Sequence, residues 1–281
     1  MLNSATIRVP ATTANLGPGY DALGVALQIY NSVTVRRTAS AQPNAMASEA
    51  AAQFFSASGS SPFDFDWSIT GDVPRSRGMG SSVTVRLGLL HGLNELADRP
   101  LDALRLFQIC AQLEGHPDNA APAAFGGFTV AGGPEVARFP VDPSLQFILL
   151  IPDFEIATPD ARRALPPQID RLGAARSCAN ACRITAAFAS QNYDLLRGAF
   201  EDHLHQPYRE KALIPFLSAV IAAGEKAGAL GGFLSGSGST ICCVAMERAE
   251  EIGSAMLTAS GNKGARIVVA AANNDGTIVE K

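Results

Sequence analysis

Residues 74–96 read PRSRGMGSSVTVRLGLLHGLNEL. The stretch opens as a turn, passes through Gly78 and Gly80 to paired serines, and then repeats apolar side chains at Val83, Leu87, Leu90, Leu93 and Ala97. Steps of three or four are the period of an amphipathic helix. Two glycines let a main chain approach an anion closely. The first turn of the following helix leaves its N–H groups unpaired, and its dipole favours negative charge at that end. The spelling predicts a phosphate cradle, with Ser81 and Ser82 capping the helix and an unengaged hydroxyl available to magnesium. An ordinary capped helix after a glycine turn is spelled the same way. Neither the Gly-Lys-Ser ending of a Walker loop nor the third glycine of the dinucleotide fingerprint is present, so the neighbouring stretches decide.

The chain has 281 residues, 47% of them apolar and 17% charged, which is room for one large or two ordinary domains and enough side chains to fill a core. A formal net charge of −4, with no run of Lys or Arg beyond two, argues against nucleic acid or an anionic membrane as partner. A bound phosphate therefore has to be gripped locally. The cysteines, Cys110, Cys178, Cys182, Cys242 and Cys243, are odd in number and form no Cys-x-x-Cys, which points to reduced thiols rather than a disulfide framework or zinc ribbon. No apolar run nears the ~18 residues of a spanning helix, and the opening MLNSATIRVP lacks a signal pattern. A cytoplasmic location is expected.

Along the chain, residues 6–9 read as a strand, and PATTANLGPGYDALGVAL over 10–27 reads as a shaped loop. Its Asn15 and Asp21 offer an amide and a carboxylate that suit a small polar or cationic group, or that cap their own turn. Strands are predicted over 31–37 and 67–70, a helix over 44–55 capped by Asn44, and another over 101–113 capped by Asp102. EGHPDNAAPAAFGG, 114–127, crowds Glu114, His116, Asp118 and Asn119 around a proline. A helix end, a Pro-Asp turn and a second short helix would look the same. Zinc on His116 is disfavoured because no second histidine or cysteine stands at ligand spacing, whereas Glu114 offers the oxygen that magnesium prefers.

Strands follow over 127–131 and 146–151, the latter with the continuous apolar run FILLI typical of a central strand, and a domain boundary is placed near Asp153: a first domain over 1–152 and a second over 153–281. Thr158 reads as a helix cap with Pro159 in the first helical position, and Arg162 and Arg163 offer planar guanidinium groups for a carboxylate or phosphate. Helices are predicted over 170–191, 194–203, 216–228 and 248–260, and a closing strand over 266–271. His203 and His205 would diverge on a helix, so they are read as no metal site. GGFLSGSGSTICCVA, 231–245, reads as strand, tight turn, strand, its turn able to stack N–H groups into an anion nest.

Taken together, PATTANLGPGYDALG, PRSRGMGSS, EGHPDNAAPAAFGGF, TPDARRALP and LSGSGST resemble the GHMP kinases (galactokinase, homoserine, mevalonate and phosphomevalonate kinases), and within them the homoserine kinases, from Val9 to Val244. The resemblance implies a two-domain α+β fold: an N-terminal mixed sheet with helices, of a kind also found in ribosomal proteins, and a C-terminal ferredoxin-like α+β domain. It implies transfer of the ATP γ-phosphoryl to L-homoserine, feeding threonine synthesis, with Mg2+ as the metal. By motif position, Pro74, Arg75, Arg77, Gly78, Met79, Gly80, Ser81, Ser82, Gly236 and Gly238 surround ATP, while Ser82 and Glu114 hold the metal. Asn15, Asp21, His116, Asn119, Arg162 and Arg209 surround the amino acid, a zwitterion that needs both a carboxylate and a guanidinium. Asn119, Thr158 and Asp118 stand at the reacting centre, Asp118 in the superfamily's base position, although homoserine kinases are thought to work without a dedicated base. A homodimer is left open.

The chain departs from that pattern at four places. Met79 and Val83 replace Leu and Ala in the cradle. Arg86 sits one turn into the cradle helix, facing solvent or adding charge near the phosphates. Ser239 replaces a common proline, which would loosen the last turn. Only TASAQP, 38–43, separates Arg37 from Asn44, which predicts a thinner wall around adenine. Two rivals are a mevalonate-type kinase, whose substrate has no ammonium for Asp21, and an RNA-binding module, which the acidic balance disfavours.

Overall fold

The first element is longer than its apolar core suggests. In the computed structural model, which describes residues 2–39, 44–133, 135–261 and 264–280, β1 runs Ser4–Ala14 and pairs antiparallel with β2, Leu23–Arg37. Ile7, Val9 and Ala11 alternate inward and are fully buried, as a half-buried strand requires. Pro10 is tolerated because the register shifts between Pro10 and Ala11, a bulge at which its missing N–H leaves no ladder bond unmade. The loop predicted over 10–27 therefore contracts to residues 15–22.

α1 (Ala45–Ser58) starts as predicted, with Asn44 Oδ1 accepting from the N–H of Ala47. β3 (Phe65–Gly71) pairs with β2. α2 (Ser81–Leu96) lies against β1 and β2, with Val83, Leu87, Leu90 and Leu93 buried along the stripe read from the sequence. α3 (Ala103–Glu114) is capped by Asp102, and α4 (Ala120–Phe125) leads into β4 (Phe128–Ala131) and β5 (Val136–Phe139). The next strand, β6 (Gln146–Ile151), departs from the predicted division. Among the described residues it pairs with no strand of the first sheet. Its partners are β8 (Ile241–Ala245) and β9 (Arg266–Ala271), which follow α5 (Thr158–Arg163), α6 (Arg171–Ser190), α7 (Gln206–Ala212), α8 (Leu217–Ala227), β7 (Gly231–Leu234) and, between β8 and β9, α9 (Ala249–Ser260).

Two antiparallel sheets result. One has the order β10-β1-β2-β4-β5 with β3 also on β2, where β10 is Ile278–Glu280, and the other has the order β7-β8-β6-β9. The boundary predicted near Asp153 thus falls after a strand of the second sheet, and β10 returns to the first, so the cut into 1–152 and 153–281 matches neither sheet. The physical reason is that the FILLI run is apolar on both faces. Ile148 and Leu150 face the cluster of Val220, Ile252 and Met256 from α8 and α9, while Phe147 and Leu149 share a core with Val25, Leu27 and Phe128 of the first sheet. That shared core binds the two layers together, Phe128 stacking on Phe188 of α6 with centroids 4.2 Å apart.

The helix predicted over 194–203 is only a 3-10 turn, Tyr193–Leu196. Gly198 turns left-handed (φ 69°), and Asp202 accepts from the N–H groups of Leu204, His205 and Gln206, which turns the chain into α7. No helix among the described residues is long and apolar enough to cross a membrane.

Candidate active site

The cradle is built by glycines that have no room for a side chain. Gly78 and Gly80 sit at φ 71° and 68°; a Cβ on Gly80 would stand 2.2 Å from Thr12 Oγ1, and one on Gly78 2.1 Å from the carbonyl of Ser235. Gly80 is itself the cap of α2, with no side chain capping the helix. Ser81 and Ser82 are thus the first helical residues and not the predicted caps. Their amides and that of Val83 precede the first helical bond, Thr84 N–H to Gly80 O (3.0 Å), and they share the positive end of the helix dipole. Met79 fills the core with its side chain, 1% exposed, and its carbonyl accepts from Thr12 N–H.

The second glycine turn clasps the cradle from the other side. Ser235 Oγ donates to Gly78 O (2.7 Å), Thr240 N–H donates to Arg77 O, and Gly236 O receives both Asn15 Nδ2 and Arg209 Nη1 at 2.9 Å. The loosening predicted at Ser239 does not occur, because its buried hydroxyl donates to Phe154 O at 2.7 Å. Arg77 directs its guanidinium to the carbonyls of Pro152 and Asp153, so only its main chain belongs to the cradle.

Beside the cradle, Ser82 Oγ donates to Glu114 Oε2 at 2.9 Å, bringing the two predicted metal residues together. Hydroxyl and carboxylate are hard oxygen donors and fit Mg2+ by chemical type. Arg86 does not face solvent: it pairs with Glu114 Oε1 at 2.6 Å and with Glu49 Oε2 at 3.1 Å, which sets its charge beside the cradle. Burial opposes its charge, but Glu114 outweighs that and holds the guanidinium above its ordinary pKa.

Across the cleft lies a group of opposite charges. Arg162 forks onto Asp21 (2.9 and 3.1 Å) and donates to Tyr20 Oη at 2.9 Å. Asp21 owes its place to a left-handed backbone (φ 56°) whose N–H donates to Asn15 Oδ1. Asn15 therefore caps the turn with one end of its amide and ties it to Gly236 with the other. Arg209, 2% exposed, is pinned by Gly236 O and by His205 Nδ1 at 3.2 Å, and burial depresses its pKa. Burial also pushes His205 down to about 4, so its neutral ring donates from Nε2 to Gly17 O (2.8 Å). His203 and His205 are not on one helix as the sequence suggested; His203 pairs with Glu201, and the two share no site.

His116 Nδ1 donates to Asp118 Oδ1 at 2.6 Å, and the same oxygen accepts from the main-chain N–H of Asn119 at 2.9 Å. Burial disfavours the imidazolium, yet Asp118 more than offsets it and the His116 pKa is raised. Asn119 Oδ1 accepts from Thr12 Oγ1 at 2.6 Å, joining this turn to the cradle. Ligand atoms of Asp21, His116 and Asp118 all lie within 4.8 Å of one another. Thr158 opens α5 as its first residue; the cap is Ala157 and makes no side-chain bond, so the predicted cap is one residue late.

One cleft of about 640 Å3 collects these groups, within the range of small-molecule sites. Of the residues singled out from sequence, Pro74, Arg86, Arg163 and Gly238 do not line it; Gly238 packs behind Gly78, and Arg163 is exposed and pairs with Asp160. At the far end the wall is apolar, with Met46, Trp67, Ile69, Val73 and Val85. Of the short segment 38–43, residues 40–43 lie outside the described residues. Sequence reasoning missed Trp67 and Ile69 as cleft residues, although the Trp-x-Ile spacing on a strand already put both on one face. It also missed Thr12, Tyr20 and His205, which carry no local signal.

Comparison with known proteins gives one picture. Residues 45–127 match the GHMP kinases N terminal domain and residues 184–263 the GHMP kinases C terminal domain. Homoserine kinases of Microchaete diplosiphon and Moorella thermoacetica are each 36% identical to this chain, over 92% and 94% of it and 91% and 95% of their own lengths. The crystal structure of homoserine kinase from Cytophaga hutchinsonii superposes with a TM-score of 0.90 at 27% identity, covering 100% of this chain and 98% of that one. A mevalonate kinase structure, at 12% identity and TM-score 0.70 over 96% of this chain and 99% of that one, shares the fold alone.

Proposed function

This chain belongs to the GHMP kinases, and we propose that within them it transfers the γ-phosphoryl group of ATP to the side-chain hydroxyl of L-homoserine, giving O-phospho-L-homoserine and ADP. The observation that carries this reading is the pairing, in one cleft, of a main-chain anion cradle at residues 78–82 with the Asp21, Arg162 and Arg209 group. A zwitterionic alcohol needs both charges. Mevalonate, without an ammonium, leaves Asp21 nothing to meet.

In the proposed arrangement the free amides at the start of α2 take phosphate oxygens, and the apolar wall with Trp67 takes the base. Ser82 and Glu114 would hold Mg2+, which would supply charge neutralisation for the nucleotide phosphates. Asp21 receives the substrate ammonium and Arg162 its carboxylate, each exchanging its present partner for the ligand. Arg209 and Asn15 keep the loop and the Gly236 turn in place. The hydroxyl oxygen attacks the γ-phosphorus, the bond to the bridging oxygen of ADP breaks, and the hydroxyl proton leaves to a phosphoryl oxygen or to water. Phosphoryl transfer is mainly positioning and charge stabilisation. Asp118, whose Oδ1 already serves His116 and Asn119, acts as an orienter of that turn and not as a base.

The test is substrate profiling with magnesium-ATP, product identified by 31P NMR. L-Homoserine is phosphorylated and mevalonate is not; the reverse result contradicts the proposal.

A further inference from the structure

Arg86 stands four residues after Ser82 on α2, so the two side chains rise on the same face of that helix. Between them they engage both oxygens of Glu114: the hydroxyl holds Oε2 at 2.9 Å, and the guanidinium holds Oε1 at 2.6 Å. The pair is sheltered, with Arg86 14% and Glu114 9% exposed, so solvent screens it little. At its outer edge the guanidinium also reaches Glu49 on α1, which is 53% exposed.

A carboxylate in contact with a full positive charge is a poor ligand for a free divalent cation. The cation would meet the guanidinium at short range, and one oxygen would have to leave a charge-assisted hydrogen bond. A cation already bound to a triphosphate carries a net negative charge with it and meets no such barrier. Glu49 offers the displaced guanidinium a second carboxylate without letting it leave the helix face.

Resting on the reading that Ser82 and Glu114 hold the metal of the metal–nucleotide complex, we propose that Arg86 is a positioning residue that keeps Glu114 charge-balanced in the free protein. The divalent cation then enters together with the nucleotide and not ahead of it, and Glu49 takes up Arg86 when Glu114 turns to the metal.

The experiment is Mn2+ titration of the full chain, with free Mn2+ followed by electron paramagnetic resonance. Without nucleotide, Arg86→Gln binds Mn2+ at least about tenfold more tightly than the unsubstituted protein. Arg86→Lys, which keeps the charge, does not. With a non-hydrolysable ATP analogue present, the difference between Arg86→Gln and the unsubstituted protein shrinks. Under the same conditions Glu49→Gln weakens Mn2+ binding about threefold, because the guanidinium then has Glu114 alone. Unchanged or weaker Mn2+ affinity in Arg86→Gln, or tighter binding in Glu49→Gln, overturns the proposal. Failure of the underlying metal reading looks different: Glu114→Gln would then leave the nucleotide-supported Mn2+ signal intact.

Discussion

Replacing Arg162 by alanine removes two contacts to Asp21 and one to Tyr20, all on the substrate side of the cleft. The Arg162 and Asp21 side chains are 38% and 34% exposed, so water re-solvates the orphaned carboxylate and the fold loses no more than about 1 kcal/mol. The effect on homoserine is larger, because its carboxylate loses a charged, forked partner. A hydrogen bond to a charged group contributes roughly 1.5–3 kcal/mol, which converts to about a tenfold to 150-fold rise in the homoserine KM. The ATP KM stays within about twofold, since the hydrogen bonds of Arg162 among the described residues go to Tyr20 and Asp21 and not to the cradle. A sharper readout compares L-homoserine with 3-aminopropanol, which keeps the ammonium and hydroxyl but lacks the carboxylate. The unsubstituted protein prefers homoserine by at least the factor lost in the variant, and Arg162→Ala nearly erases that preference. Steady-state kinetics on both acceptors, with thermal melts to confirm folding, checks this. An equal loss for ATP, or an undiminished preference for homoserine, would refute the assignment of Arg162 to the substrate carboxylate.

Ser82→Ala removes a donor to Glu114 and a proposed metal ligand; it should raise the KM for magnesium-ATP and lower kcat by about tenfold or more, and unchanged kinetics would place the metal elsewhere. Gly80→Ala combines a left-handed backbone with a Cβ 2.2 Å from Thr12 Oγ1, so it should destabilise the fold by about 2–4 kcal/mol, read from chemical denaturation, and weaken nucleotide binding. Asp118→Asn should lower the raised His116 pKa toward its ordinary value, seen in the imidazole NMR titration. Because the folded pKa is raised, the stability that His116 protonation supplies is complete below the ordinary value of ~6.5 and is lost as pH rises through the folded value; Asp118→Asn should flatten that pH dependence.

The parts legible in the sequence were those whose physics is local. The stripe of α2, the caps at Asn44 and Asp102 and the hairpin around Gly236 depend on neighbours a few residues away, and they stand where the pattern put them. Errors arose where a distant partner decides. Pro10 and the glycines around it suggested a loop, but pairing with β2 carries strand structure through a bulge as far as Ala14. The FILLI strand announced itself as central without saying in which sheet, because strand order is set by partners at 241–245 and 266–271. The residues over 194–203 have helical composition, yet Asp202 serves better as the opening of α7. Arg86 is the sharpest case: its spacing from Ser82 was visible, but nothing local said that Glu114 and Glu49 would converge on it.

The same distinction bears on how the proposed donor and acceptor sites are held relative to each other. Thr12 touches both halves: its hydroxyl donates to Asn119 Oδ1 at 2.6 Å and stands where a side chain on Gly80 would have to go, while its N–H holds Met79 O. Thr12 lies on β1, the central partner of β2 and β10, so the cradle and the His116 turn are both referenced to one rigid strand. An in-line transfer fails if donor and acceptor shift by about 1 Å relative to each other. Hanging both on a single buried threonine makes their separation a property of the sheet, and a cavity at that point should cost rate before it costs binding. Thr12→Val keeps the shape and removes the bond, so kcat should fall while both KM values hold; a change confined to KM would mean that the bond positions only one substrate.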